Sequence, residues 1–425
     1  MNHSLQCAKC GESYPVFDQR YRCNCGGTLD VVHDHSALSL TTEILDARRN
    51  SNDPIDRSGV WRFRELILPL SDAELRKAVV TRGEGNTHLY DAPTMATSIG
   101  VAQVHLKHEG ENPTGSFKDR GMTAGITMAR HFGMKQVACA STGNTSASMA
   151  SYAARCGMGA VVFIPEGNIA YGKLSQALAY GAKTIQINGD FDDAMALVQD
   201  LCGSEGIYLL NSVNPFRIEG QKAIGFEIMQ DLNWNPPDWI VLPGGNLGNN
   251  TAIAKGLQEI HALGLIERLP RIAVVQAAGA NPLYRAWTQD RDVEPITAAT
   301  IATAIKIGAP VSWRKSVRGL RALDGVVTEV NDNEIMDAKA LVDASGIGAE
   351  PASCATLAGL KRLVHEGVID RDARVVGVLT GHLLKDPDVV VGYHTGSLDG
   401  IDTHRANAPV QAPADVDAIR EILRQ

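Results

Sequence analysis

The chain has 425 residues, 44% of them hydrophobic, enough for one large or two medium domains with real cores. A formal net charge of −8 argues against the basic face of a nucleic-acid binder. No apolar run reaches the roughly 18–20 residues of a membrane span, and residues 1–6 lack both the charged and the apolar region of a signal peptide. The expectation is a cytoplasmic protein with a small-molecule partner, binding neither nucleic acid nor membrane.

Four of the eight cysteines fall between positions 7 and 25. Cys7-Ala8-Lys9-Cys10 is a CxxC, and Cys23-Asn24-Cys25 is a CxC running into Gly26 and Gly27. In a reducing compartment clustered thiols favour metal over disulfides. Two knuckles on a short hairpin-like segment can close a Cys₄ zinc site. The second pair is one residue tighter than usual, so a metal-free knuckle stays open beside structural zinc. Cys139, Cys156, Cys202 and Cys354 lie in apolar surroundings and read as buried thiols.

Residues from about 36 to 82 read as helices and connections without a chemical motif. Gly83-Glu84-Gly85-Asn86-Thr87-His88-Leu89 follows, and its loop histidine has no assigned role. From Val101 to Val275 strand-like and helix-like pieces alternate. Strands are expected at 102–107, 136–140, 160–164, 183–187, 238–242 and 271–275. Helices are expected near 118–132, 145–156, 172–181, 190–202, 217–231 and 250–263. The alternation predicts an α/β fold of open, mostly parallel sheet with helices on both faces. Ligands of such sheets bind beyond the strands' carboxyl ends, and the chemical motifs fall there.

Asn112-Pro113-Thr114-Gly115-Ser116-Phe117-Lys118-Asp119-Arg120 places a lysine at the start of an amphipathic helix. A lone lysine reads first as a solvated helix residue. Near a positive helix N-terminus and among hydroxyls, this one has a reason to lose its proton. A neutral lysine amine can form a Schiff base with a carbonyl cofactor. Ser141-Thr142-Gly143-Asn144-Thr145-Ser146 feeds a second helix start, as an anion site or as an ordinary N-cap. Asn211-Ser212-Val213-Asn214-Pro215-Phe216-Arg217 opens a third, where a cation opposes the dipole. Arg217 reads either as an exposed side chain bending away or as a bidentate partner for phosphate. Gly244-Gly245-Asn246-Leu247-Gly248-Asn249 is an anion cradle or a tight left-handed turn, without Walker or dinucleotide-binding spacing. Glu350-Pro351-Ala352-Ser353-Cys354-Ala355 starts a small-residue helix, and Val376–Leu379 ends in Thr380-Gly381-His382-Leu383-Leu384-Lys385-Asp386.

In this order the segments resemble fold-type II pyridoxal-phosphate (PLP) enzymes, and the threonine synthase family in particular. The glycine loop and the cysteine ribbon point to its plant-like branch. The resemblance implies two open, mostly parallel-sheet domains behind a small N-terminal cysteine ribbon. The ribbon takes residues 1–35, the large PLP domain 36–130 and 225–400, the small domain 131–224 and a C-terminal tail 401–425. It implies PLP on Lys118, Asn144 at the ring hydroxyl and Thr380 at the pyridine nitrogen. Gly245, Asn246, Leu247, Gly248 and Asn249 would surround the cofactor phosphate. Thr145, Ser212 and Arg217, with Asn246 shared, would hold a substrate phosphate, and Cys7, Cys10, Cys23 and Cys25 a structural zinc. The implied reaction converts O-phospho-L-homoserine and water to L-threonine and phosphate, in a homodimer.

Cysteate synthase and threonine dehydratase are the alternatives of the same fold, and only the dehydratase lacks a phosphate for Arg217. A catalytically silent PLP- or zinc-binding protein would have no need of Lys118. The chain departs from the family pattern at His88 (for proline), at Asn144 (often Asp in plant enzymes) and at Leu383 (usually glycine). If residue 383 requires a positive φ, the leucine disturbs the local loop.

Overall fold

Among the described residues of the computed structural model (3–166, 171–188, 197–198, 200–202 and 206–424), strands β1 to β13 form three sheets. The first is antiparallel and N-terminal: β1 (Ser4–Cys7) lies between β2 (Ser13–Pro15) and β3 (Leu29–Val32). Leu5, Leu29 and Val31 are fully buried and belong to the main core, so the ribbon is docked on the body of the molecule. Polar contacts fix it there. The Tyr21 hydroxyl accepts the Leu209 amide at 2.8 Å, His33 Nε2 meets Glu219 at 2.8 Å, and Lys315 donates to the Leu29 carbonyl at 3.0 Å.

The second sheet runs β12 (Val326–Val330), β11 (Arg271–Ala277), β10 (Trp239–Pro243), β13 (Arg374–Leu379), β5 (Gln103–His108), β4 (Leu89–Asp91). Only β4 is antiparallel to its neighbour. β10 is buried at every position, which explains its unbroken Trp-Ile-Val-Leu run: both faces of a parallel sheet are covered by helices. The third sheet is parallel, in the order β8 (Lys183–Ile187), β7 (Gly159–Pro165), β6 (Gln136–Ala140), β9 (Ile207–Leu209).

Each expected strand is present within two residues of its expected ends. Between Val101 and Val275 the strand without an expectation is β9, whose three residues are too few for alternation to register; elsewhere β4, the ribbon strands and the five-residue β12 had none either. The expected helix 217–231 is two helices, Pro215–Gln221 and Ala223–Asp231. The expected helix 190–202 falls mostly outside the described residues. Cys139 and Cys354 are buried, but Cys156 and Cys202 are partly exposed, the former because it ends its helix at Gly157. No described helix is long and apolar enough to cross a membrane.

Two features place the site. The helix Lys118–His131 packs directly on Pro215–Gln221, and glycines permit it. A Cβ on Gly220 would stand 2.0 Å from the Arg120 carbonyl, and one on Gly125 would stand 2.6 Å from Leu210. This contact lays Arg217 against the lysine helix. Beneath it runs a buried charge network. Arg120 Nε binds Glu109 at 2.6 Å, Arg62 binds Glu227 at 2.6 Å, and Lys107 binds Asp231 at 2.7 Å. Every charge has a partner, as burial requires.

Candidate active site

A cleft of about 1200 Å³ opens at the carboxyl ends of the two parallel sheets. It is lined by Lys118, Asn144, Thr145, Ser212, Arg217, Gly245, Asn246, Leu247, Gly248, Asn249 and Thr380, all of them named from sequence. Three helices begin at it: Lys118–His131, Asn144–Cys156 and Gly248–Ala262. No side chain caps any of the three. Their first amides and dipoles therefore favour anions in the cleft, and the ordinary N-cap reading of the Asn144 loop does not hold.

Lys118 is the first residue of its helix, with Nζ 4.0 Å from the centroid of the Phe117 ring. Burial, then the Arg217 guanidinium, lower its pKa to about 7, while Glu350 opposes. The preceding loop is held by Asp119, which accepts the Thr114 amide at 2.7 Å, the Thr114 hydroxyl at 2.6 Å and the Ser148 hydroxyl at 2.5 Å. Burial pushes that carboxyl up to about 6, against those hydrogen bonds. A lysine of lowered basicity can act as nucleophile and base.

Arg217 is 2% exposed, not bent into solvent. Its Nη1 donates to the Leu210 carbonyl at 2.9 Å, and burial lowers its pKa to about 10. Its Nε, Gln221 Oε1 and both polar side-chain atoms of Asn249 are buried without a partner among the described residues. Such atoms are costly unless a ligand satisfies them. The Arg217 and Asn249 N–H groups suit an anion such as a phosphate, and the Gln221 and Asn249 oxygens suit hydroxyl or ammonium donors; PLP with a phosphorylated amino-acid substrate offers both.

In the glycine loop the left-handed residue is Leu247, at φ +63°, so the tight turn is present. Asn246 is partly committed elsewhere. Its Oδ1 accepts the Val311 amide at 3.1 Å and its carbonyl accepts Ser312 at 3.2 Å, which pins the 303–312 segment along the cleft. Thr380 Oγ1 lies 3.0 Å from Ser353 Oγ. Sequence reading gave no role to Glu350 or Lys385, although both stood in recognised segments; both line the cleft. Leu383 does not have positive φ and lies in a short 3₁₀ turn, Leu383–Lys385. The left-handed residue is Gly348, whose missing Cβ makes room for the Leu383 side chain, so the expected disturbance does not arise. His88 is exposed and bonded to Glu111 at 2.8 Å, outside the cleft.

The four ribbon sulfurs converge away from this cleft. Cys7, Cys10, Cys23 and Cys25 all lie within 4.8 Å of one another. Gly27 lets them close, since a Cβ there would stand 2.5 Å from Cys7 Sγ. The hydrogen bonds from Tyr14, then from the backbone near Cys25, draw the Cys23 thiol down to about 6. Four soft donors in this space suit a tetrahedral metal.

A lysine of lowered basicity, set among helix starts at the carboxyl ends of two parallel sheets, defines a PLP-dependent enzyme, and residues 80–381 match the family described by that cofactor. The fold is similar to that of maize serine racemase (TM-score 0.64, 19% identity, covering 77% of this chain and 98% of that one). At the sequence level the chain is similar to threonine synthases. That of Methanocaldococcus jannaschii is 44% identical, over 99% of both chains. That of Methanosarcina acetivorans is 45% identical, over 99% of this chain and 98% of the other. Threonine synthase 2, chloroplastic, of Arabidopsis thaliana is 37% identical, over 97% and 82%. The chain belongs to the threonine synthase family of PLP-dependent enzymes.

Proposed function

We propose that this chain converts O-phospho-L-homoserine and water to L-threonine and inorganic phosphate, with PLP held on Lys118. The observation that carries this reading is Arg217, a buried, incompletely bonded guanidinium lining the same cleft as Lys118. A substrate without a second anion, such as the dehydratase's, leaves that charge unmatched. When bound, the cofactor withdraws electrons from the substrate's α-carbon and makes its proton acidic. Lys118 Nζ takes that proton and then one from the β-carbon as phosphate leaves from the γ-carbon with the C–O bonding pair; a proton is delivered to the γ-carbon, water adds at the β-carbon, and a proton returns to the α-carbon. Arg217, with Thr145 and Ser212, binds the substrate phosphate and takes up charge as it departs. Asn144 serves the ring hydroxyl, Thr380 the ring nitrogen, and loop residues 245–249 the cofactor phosphate.

Purified protein given O-phospho-L-homoserine should release threonine and phosphate in equal amounts. Ammonia from L-threonine alone would identify a dehydratase instead. Cysteate from O-phospho-L-serine and sulfite would identify the other relative.

The cradle has its own test. A Cβ on Gly248 would meet Ile218 at an ordinary 3.4 Å, so Gly248→Val should fold. Its branched side chain would block the approach of phosphate to the loop amides, and PLP should be lost on dialysis. Full cofactor occupancy would place the cradle elsewhere.

The ribbon, residues 1–35, binds one structural zinc through Cys7, Cys10, Cys23 and Cys25. Metal analysis should return about one zinc per chain. Cys10→Ser should release it and lower stability without displacing PLP, whereas metal-free protein of full stability would leave only a degenerate knuckle. The remaining domains are the large one, 36–130 and 225–400, the small one, 131–224, and a tail, 401–425; the distribution of the two parallel sheets supports this division. The enzyme works in the cytoplasm as a homodimer.

A further inference from the structure

The proposed reaction leaves one buried carboxylate in the cleft without a role. Glu350 is 2% exposed and stands just before the helix Pro351–His365. Its amide donates to the Gly381 carbonyl at 3.0 Å, and its carboxylate fills the place of a side chain at residue 381, where a Cβ would stand 2.5 Å from Oε1. The carboxylate accepts from Asn144 Nδ2 at 3.1 Å and 3.4 Å and from Thr380 Oγ1 at 3.5 Å. Asn144 comes from the loop after β6 in the four-stranded sheet, and Thr380 from the end of β13 in the six-stranded one. A single carboxylate thus joins the two side chains assigned to the hydroxyl and the nitrogen of the cofactor ring.

No lysine or arginine makes a recorded ion pair with Glu350 among the described residues. The charged groups that face it are Lys118, Lys385 and Asp386. Burial raises its pKa, the Asn144 hydrogen bond lowers it, Asp386 raises it, and Lys385 and Lys118 lower it. A buried carboxylate so weakly compensated costs stability. Its retention is explained if the site uses its hydrogen bond to Asn144.

We infer that Glu350 is a positioning residue for the cofactor: its carboxylate fixes the Asn144 amide and leaves the second N–H for the ring hydroxyl. This inference rests on PLP being the cofactor, and not on the identity of the substrate.

PLP affinity, read without substrate from the absorption of the bound cofactor, tests it. Glu350→Asp draws the carboxylate back from Asn144 and should weaken PLP binding about tenfold, the size of one lost hydrogen bond to a charged group. In an Asn144→Ala background, Glu350→Asp should weaken PLP binding no further, since the two act as one unit. Glu350→Asp with wild-type affinity, or additive losses of affinity in the double variant, would overturn the inference and leave Glu350 a structural helix start. Failure to turn over O-phospho-L-homoserine would leave these affinities readable, so the two proposals fail separately.

Discussion

Replacing Lys118 with alanine is expected to leave a folded protein that makes no measurable threonine. The side chain makes no ion pair among the described residues, and burial with Arg217 already destabilises its charged form. Its removal therefore takes little from the fold. It takes both the covalent anchor of the cofactor and the base at the α-carbon. Loss of a group that is nucleophile and base together should lower kcat/KM by about 10⁴-fold or more. Borohydride reduction of the wild-type holoenzyme, followed by peptide mapping, should find the pyridoxyl group on Lys118. Lys107 and Lys222 are the instructive controls. Both are buried, but each is held by carboxylates, Lys107 by Asp231 at 2.7 Å and Lys222 by Glu219 at 2.6 Å. Both nitrogens are engaged by carboxylates, and neither residue lines the cleft. A label on either would refute the assignment of Lys118.

Arg217→Leu should keep the bound cofactor and lose turnover of O-phospho-L-homoserine. A hydrogen bond to a charged group contributes roughly 1.5–3 kcal/mol, so loss of one or two lowers kcat/KM by about 10- to 10⁴-fold. Inorganic phosphate should cease to inhibit. A second effect must be separated from this one. The guanidinium also lowers the pKa of Lys118, so the variant lysine keeps its proton to higher pH. Below that raised pKa part of the loss is protonation, and it recovers as pH rises; the loss of phosphate binding does not. An assay at alkaline pH, together with phosphate inhibition, therefore isolates the binding defect. A variant as active as wild type, still inhibited by phosphate, would show that Arg217 does not touch the substrate.

The parts of this site that were legible in the sequence are those made by neighbouring residues. Lys118, Asn144 and Gly248 each begin a helix after a polar or glycine-rich loop, and local turn chemistry announces such junctions. The convergence of Cys7, Cys10, Cys23 and Cys25 follows from spacing within 19 residues, and their sulfurs do meet. The six strands expected from Val101 to Val275 are present; Trp239–Pro243, buried throughout, is a continuous apolar run, while Gln103–His108 and the partly exposed Lys183–Ile187 alternate instead.

What the sequence did not decide was the environment of each side chain. Arg217 was equally a surface residue and a phosphate ligand until glycines at 125 and 220 were seen to let two helices touch and bury it. Asn246 Oδ1 belongs to Val311, 65 residues away, and the Asn144 amide to Glu350, 206 residues away. The missing glycine at 383 has its counterpart at 348, on a separate loop. Sequence alone determined where backbone amides and reactive groups are presented, because those depend on dihedral preferances over a few residues. Tertiary structure decided which groups are desolvated and which face one another, because pKa, hydrogen bonding and charge pairing depend on distances between elements far apart in the chain.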